Sequence, residues 1–218
     1  MSAPKLSDRL WIVMNLHIQS VRSPFDDPGL ASAAIEALTR ADAMGLLSRP
    51  VTCLDDSAIQ GLEAGMAEAG IGQSFLAELH RLPCSDTARL SILLEKINDA
   101  LDHSPAPAHE WHTLQHILGL DLLTRLLGIS QSSARRYISA NRSTPDAIAD
   151  RLHFLAFVVG YLTGAYNDIG VRRWFDRRRE RLNGNTPAEE LGNDWSPGDD
   201  APQRVRELAQ ALLSSPAT

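Results

Sequence analysis

Apolar residues recur at intervals of three and four along most of the chain, the spacing of helices that bury one face. Residues 6–21 carry that spacing, Pro24 to Gly29 breaks it, and residues 30–47 resume it in an Ala-rich stretch. A looser stretch over 49–56 precedes short helices near 58–69 and 73–82, and a Ser-Asp pair opens another over 85–101. Residues 103–110 (HSPAPAHE) hold two prolines and no periodicity, the composition of a linker. Helical spacing then returns over 111–118, 122–138, 144–166, 169–182 and 201–213. Thr144, Pro145 and Asp146 supply a cap, a proline at the first helical position and an acid in the first turn. Thr186, Pro187, Ala188 and Glu189 spell a capping box. Strand signals are nearly absent and no repeat is present, so the expected fold class is all-α.

Within this pattern the stretch LLTRLLGISQSSARRYI, residues 122–138, has the spacing of a helix-turn-helix. Leu123 and Leu127 lie four apart on a first helix. Gly128 suits the left-handed residue that ends it, and Ile129 fills the space under the turn. Ser130 is placed to cap a second helix, on which Ala134, Tyr137 and Ile138 form one buried stripe. Thr124 stands where two such helices usually meet over Ala or Gly. The opposite face holds Gln131, Ser132, Arg135, Arg136 and Ser139. In a major groove, Arg135 and Arg136 can bind guanine or phosphate, with Gln131 and Ser132 near base edges and Arg142 on a phosphate after the helix; Ser130 completes the expected DNA-binding set.

The net charge of −6 argues at first against nucleic acid, but its distribution does not. Residues 121–182 hold eleven Arg against six acids, whereas residues 1–110 hold eight basic and fifteen acidic side chains. A basic module thus follows an acidic one. The longest apolar run, 152–166, is interrupted by Gly160 and Gly164 and is shorter than the roughly 20 residues that span a bilayer. It is expected to be a core helix. Cys53 and Cys84 form no CxxC and suit small buried residues in a reducing cytoplasm.

Other constellations point to no chemistry. His112 and His116 are four apart, but Glu110 follows His109 and no cluster completes a metal site. Residues 61–72 are glycine-rich, yet follow no strand and lie on helical spacing, as a helix with packing glycines does. No nucleophile motif occurs, and the acid pairs Asp26-Asp27, Asp55-Asp56 and Asp199-Asp200 fall at loops or caps. No enzyme activity, cofactor or metal is expected. The six Arg between Arg172 and Arg181 suit a salt-bridged helix, a phosphate contact or an acidic partner surface.

After the helix-turn-helix and a long helix comes VRRWFDRRRERLNGNTPAEEL. This order resembles the Xre/MbcA/ParS-type antitoxins of bacterial toxin–antitoxin pairs over residues 111–213. The family's Arg-Trp pair, Leu–Gly element and Thr-Pro turn fall on Arg173, Trp174, Leu182, Gly184, Thr186, Pro187 and Leu191. The resemblance implies that these residues bind a partner toxin, typically a RES-domain enzyme that degrades NAD. It also implies that the helix-turn-helix binds the operon's own promoter. The charged segment DRRRER stands where the family usually has a short, less charged segment rich in Pro or Asn, and the family's small members lack the acidic region before the linker.

The expected organisation is an acidic helical region of unassigned role over 1–103, a DNA-binding domain over 110–166 and a partner-binding domain over 167–218. A homodimer reading a palindromic operator is expected, because one recognition helix buries too little surface to be selective. The expected function is a cytoplasmic antitoxin that represses its own promoter. The alternatives are a stand-alone helix-turn-helix regulator and a helical adaptor that never touches DNA.

Overall fold

In the computed structural model, residues 15–83 and 86–212 are described. They form eleven α-helices and two short strands, a mostly helical fold. The first element departs from the helical expectation. Leu16–Val21 is a strand, β1, paired in parallel with β2, Val51–Leu54. Leu16 and Ile18 are half-buried while His17 and Gln19 are exposed, a period of two that competes with the helical spacing of the longer window. Residues 6–14 of the expected helix, together with Cys84, Ser85 and Leu213, lie outside the described residues.

Between the strands runs α1, Pro28–Ala43, capped by Asp27, whose carboxylate accepts from the Leu30 N–H at 2.9 Å. The buried Asp42 near its end accepts the backbone N–H groups of Asn15 and Leu16 at 2.9 and 3.1 Å, tying sheet to helix. Burial nevertheless pushes this carboxyl up to about 6, against the pull of those two bonds. Three further helices follow: α2, Asp56–Ala69; α3, Gln73–Arg81; and α4, Thr87–Asp102, capped by Asp86. They share one apolar cluster with α1, centred on Leu38, Leu62, Leu93 and Ile97.

The second half of the expected linker, residues 107–110, is helical. Pro107 opens α5, Pro107–Leu118, at a position where the missing N–H costs nothing, and Glu110 is fully buried. Then come α6, Leu120–Leu127, α7, Gln131–Ile138, and the long α8, Asp146–Thr163. The chain closes with α9, Asp168–Phe175, a 3₁₀ turn at Glu180–Leu182, α10, Pro187–Leu191, and α11, Asp200–Gln210. A helix expected over 169–182 therefore stops at Phe175. Arg179 is extended there, and its N–H bonds back to the Asn185 carbonyl at 3.0 Å, closing a loop in place of a helical turn. No helix among the described residues is long and apolar enough to cross a membrane.

Two apolar clusters result, and α8 serves both. Leu152, Leu155, Val159 and Leu162 lie in the second cluster with residues of α5 to α11, whereas Phe157 lies in the first. Close approach of α1 is permitted by Gly160, where an added Cβ would come within 2.8 Å of the Ala43 Cβ. Beside this contact is a buried polar pair. His153 Nδ1 lies 2.6 Å from Glu110 Oε1, and Nε2 lies 3.2 Å from the Asp102 carbonyl at the end of α4. A carbonyl only accepts, so the ring carries a proton on Nε2, and one further proton is shared between Nδ1 and Glu110. Burial raises the Glu110 pKa above its ordinary value, and Oε2 has no partner, so the neutral acid donating to Nδ1 satisfies the site best.

This assignment has a measurable sign. A carboxyl whose folded pKa lies above its unfolded value stabilises most below the unfolded value and loses that contribution as pH rises through the folded one. Glu110→Gln can still donate to Nδ1 but cannot titrate. Denaturant unfolding should find Glu110→Gln within about 1–2 kcal/mol of wild type near neutral pH, with a flatter decline as pH rises past the ordinary carboxylate range. Glu110→Ala should cost about 2–4 kcal/mol. Equal losses for the two variants would show an ion pair instead.

Candidate nucleic-acid interface

The turn between α6 and α7 is built as the sequence predicts. Gly128 is left-handed at φ 68°, with its N–H bonded to the Arg125 carbonyl at 3.2 Å and the Ile129 N–H to the Thr124 carbonyl at 3.1 Å. This pair of bonds closes the end of α6. Ser130 caps α7, its Oγ accepting the Ser133 N–H at 3.2 Å. Ala134 is fully buried, and Ile129, Tyr137 and Ile138 pack half-buried on the second cluster. Thr124 is accommodated at the helix contact because it is buried with its hydroxyl donating to the Asp121 carbonyl at 3.1 Å.

From α5, Trp111 holds α7 in position. Its ring stacks on Tyr137 at 6.0 Å between centroids, and its Nε1–H donates to Thr144 Oγ1 at 3.0 Å. Thr144 therefore anchors the loop after α7 rather than capping α8, which begins after Pro145 with no side-chain cap. In that loop Ala140 is left-handed and the exposed Arg142 lies over the Tyr137 ring at 5.9 Å.

The outward face of α7 carries Gln131, Ser132, Arg135 and Arg136, all exposed. Gln131 is held at both ends of its amide: Nε2 donates to Asp121 Oδ1 at 2.5 Å, and Oε1 accepts from Arg135 Nη2 at 3.3 Å. The chain Asp121–Gln131–Arg135 aligns one guanidinium along the helix, and Arg136 stands beside it. No acidic residue lies on α7 itself. A cationic, hydrogen-bonding face on an exposed short helix can contact base edges and phosphates.

A strap that sequence reasoning missed holds this unit from behind. Arg151, buried on α8, donates from Nε to the Trp195 carbonyl at 2.5 Å and from Nη1 to the Leu127 and Asn193 carbonyls at 3.2 and 3.4 Å. Its Nη2 reaches Asp194 Oδ1 at 2.6 Å. Trp195 Nε1–H donates to the Leu126 carbonyl at 2.9 Å, and its ring meets Phe154 edge-on at 5.2 Å. Two orphan carbonyls at the end of α6 are thus satisfied, Leu127 by Arg151 of α8 and Leu126 by Trp195 of the C-terminal segment. A Cβ at residue 128 would overlap the Asn193 carbonyl oxygen, so glycine is required there by contact as well as by conformation.

The residues assigned to a partner by resemblance take mainly internal positions. Trp174, Leu182, Pro187 and Leu191 are buried, Trp174 meeting Phe175 edge-on at 5.1 Å. Thr186 forms the expected capping box: its Oγ1 accepts the Glu189 N–H at 3.1 Å, and Glu189 Oε2 accepts the Thr186 N–H at 2.8 Å. Gly184 is half-buried at a left-handed turn and Arg173 is exposed. These side chains build the segment, and of the seven Arg173 alone is an exposed side chain.

The Arg cluster also divides. Arg172 satisfies the end of α5, donating to the Ile117 and His116 carbonyls at 2.6 and 3.1 Å. Arg178 donates to the Gly184 carbonyl at 3.0 Å, and Arg179 lies over the Trp174 ring at 5.4 Å. Arg125 on α6 pairs with Asp176 at 2.6 Å. Arg173, Arg177 and Arg181 remain exposed.

The strap makes the C-terminal segment part of the helix-turn-helix support. Trp195→Ala should lose about 3–5 kcal/mol of unfolding free energy. A chain ending at Gly192 should lose more, since it also removes α11 and leaves Arg151 with the Leu127 carbonyl alone of its four acceptors. Equilibrium denaturation checks both, and wild-type stability in either would remove the strap from the account.

The chain matches none of the family models, curated proteins or solved structures with which it was compared.

Proposed function

We propose that this protein binds DNA through α7 and represses the promoter of its own operon, acting in the cytoplasm as an antitoxin that neutralises a partner toxin. The observation that carries DNA binding is the exposed face of Gln131, Ser132, Arg135 and Arg136 on a helix fixed from behind by Trp111 and the Arg151–Trp195 strap. On this reading Arg135 and Arg136 contact guanine or phosphate, Gln131 and Ser132 approach base edges, and the Ser130 and Arg142 ends of the element flank the phosphates. Two copies related by a two-fold axis would read half-sites about 34 Å apart.

The antitoxin half of the proposal rests on the resemblance, which implies a RES-domain enzyme that degrades NAD as the toxin. Its contact would fall on the exposed side of α9, where Arg173 follows Ile169 by one turn and Ile169 is 60% exposed. A stand-alone regulator is the competing reading, and one experiment separates them. Expression of the adjacent gene should kill cells unless this protein is present. Harmless expression leaves the regulator reading alone.

For DNA, Arg135→Ala and Arg136→Ala should each weaken binding to the upstream promoter by about 1–3 kcal/mol without loss of fold, measured by mobility shift. Wild-type affinity should fall steeply between about 50 and 200 mM salt, because phosphate contacts release counterions. Unchanged affinity in the double variant would overturn the assignment of α7.

A further inference from the structure

The N-terminal half contains a cavity that the DNA-binding reading does not use. It measures about 110 Å³ and lies between α2, α3 and α4 beneath the turn that carries Phe25. Its floor is apolar: Phe25, Ile59, Leu79 and Leu90 line it and are all at least nine-tenths buried. Its polar lining is two acids, an amide and an imidazole. Asp56, Gln60 and Glu63 project from one side of α2, and His80 comes from the end of α3. No Lys or Arg lines it.

The carboxylate nearest the floor is fixed in place. Glu63, with 18% of its side chain exposed, holds His80 Nδ1 at 3.1 Å through Oε1. Its other oxygen has no hydrogen-bond partner among the described residues. Asp56 lies two turns earlier on the same helix, about 10 Å along the axis, and is exposed. Nearby, Arg22 and Arg89 are paired with Asp55 and Glu78, and Arg81, exposed at the end of α3, is not part of the lining. An anion would meet two acids here, whereas a neutral apolar molecule would leave Asp56 without a counter-charge and Glu63 with only the exposed His80 imidazole.

We propose that this cavity binds a small organic cation: a protonated amine set against Glu63, with Asp56 adding negative potential from the start of α2 and a compact apolar body on the floor of Phe25, Ile59, Leu79 and Leu90. The size follows from the volume. One water occupies about 10–15 Å³ of such space, so the cavity takes roughly seven to ten atoms of water size. Apolar walls with a few placed polar groups are the ordinary composition of a small-molecule site.

The test titrates the full chain with 2-phenylethylamine and with its isosteres 2-phenylethanol and 3-phenylpropionate, following backbone amide signals or heat. The amine should bind saturably, shift signals of α2 and α3, and bind about tenfold more tightly than the alcohol, with the acid weakest. Glu63→Gln removes only one exposed ion pair from the fold and should weaken amine binding about tenfold while leaving the alcohol unchanged. Asp56→Asn, at the exposed start of α2, serves as a second variant and should act in the same direction. Equal affinity for amine and alcohol, amine binding untouched by both variants, or no saturable binding of the amine would each overturn the proposal.

Discussion

A guanidinium withdrawn from water needs acceptors close by, and Arg151 makes four hydrogen bonds by drawing on two distant segments at once. The Leu127 carbonyl belongs to the end of α6, and the Asn193 and Trp195 carbonyls belong to the segment after α10. Neither segment alone offers enough acceptors. The helix-turn-helix corner and the C-terminal segment are therefore fixed relative to each other, with the Trp195 indole completing the joint on the Leu126 carbonyl. Everything outward of the joint follows: the Gly128 turn, the direction of α7 and the exposure of Arg135 and Arg136.

The same helix that supplies Arg151 also joins the two apolar clusters. His153, two residues on, meets Glu110 of α5 and the end of α4, and Phe157 enters the N-terminal cluster. Along α8 almost every turn has a neighbour, which is why its apolar run is continuous rather than one-sided. An element buried on all sides cannot shift without disturbing each neighbour. The acidic N-terminal half and the basic half are consequently coupled through α8 and not merely tethered, and occupancy of a site in one half has a physical route to the other.

Much of this was legible in the sequence where the signal is local. Gly128, Ser130 and the spacing of Ala134, Tyr137 and Ile138 set out the turn, cap and buried stripe within ten residues, and Thr186 with Glu189 did the same for α10. Thr144 shows the limit: its spacing to Pro145 suits a cap, but the Trp111 indole claims its hydroxyl from 33 residues away. Arg151 and Trp195 were illegible for the same reason, since partners 44 residues apart leave no periodicity. The strand at Leu16–Val21 was masked by a window long enough to average its alternation into helical spacing. Pro107 looked like a linker residue because proline at the first position of a helix and proline in a loop are the same letter. The residues carried by resemblance are mostly internal, since a motif built of Trp, Leu and Pro marks what holds a domain together as readily as what it touches.

The central claim is that α7, held by its strap, is the surface that meets DNA. Backbone amide chemical shifts of the full chain, recorded as upstream promoter DNA is added, test it most directly. The account predicts shifts concentrated at Ser130, Gln131, Ser132, Arg135, Arg136 and Arg142, with the residues of α2 and α3 little changed. Shifts absent from α7, or centred instead on Arg173, Arg177 and Arg181, would contradict it.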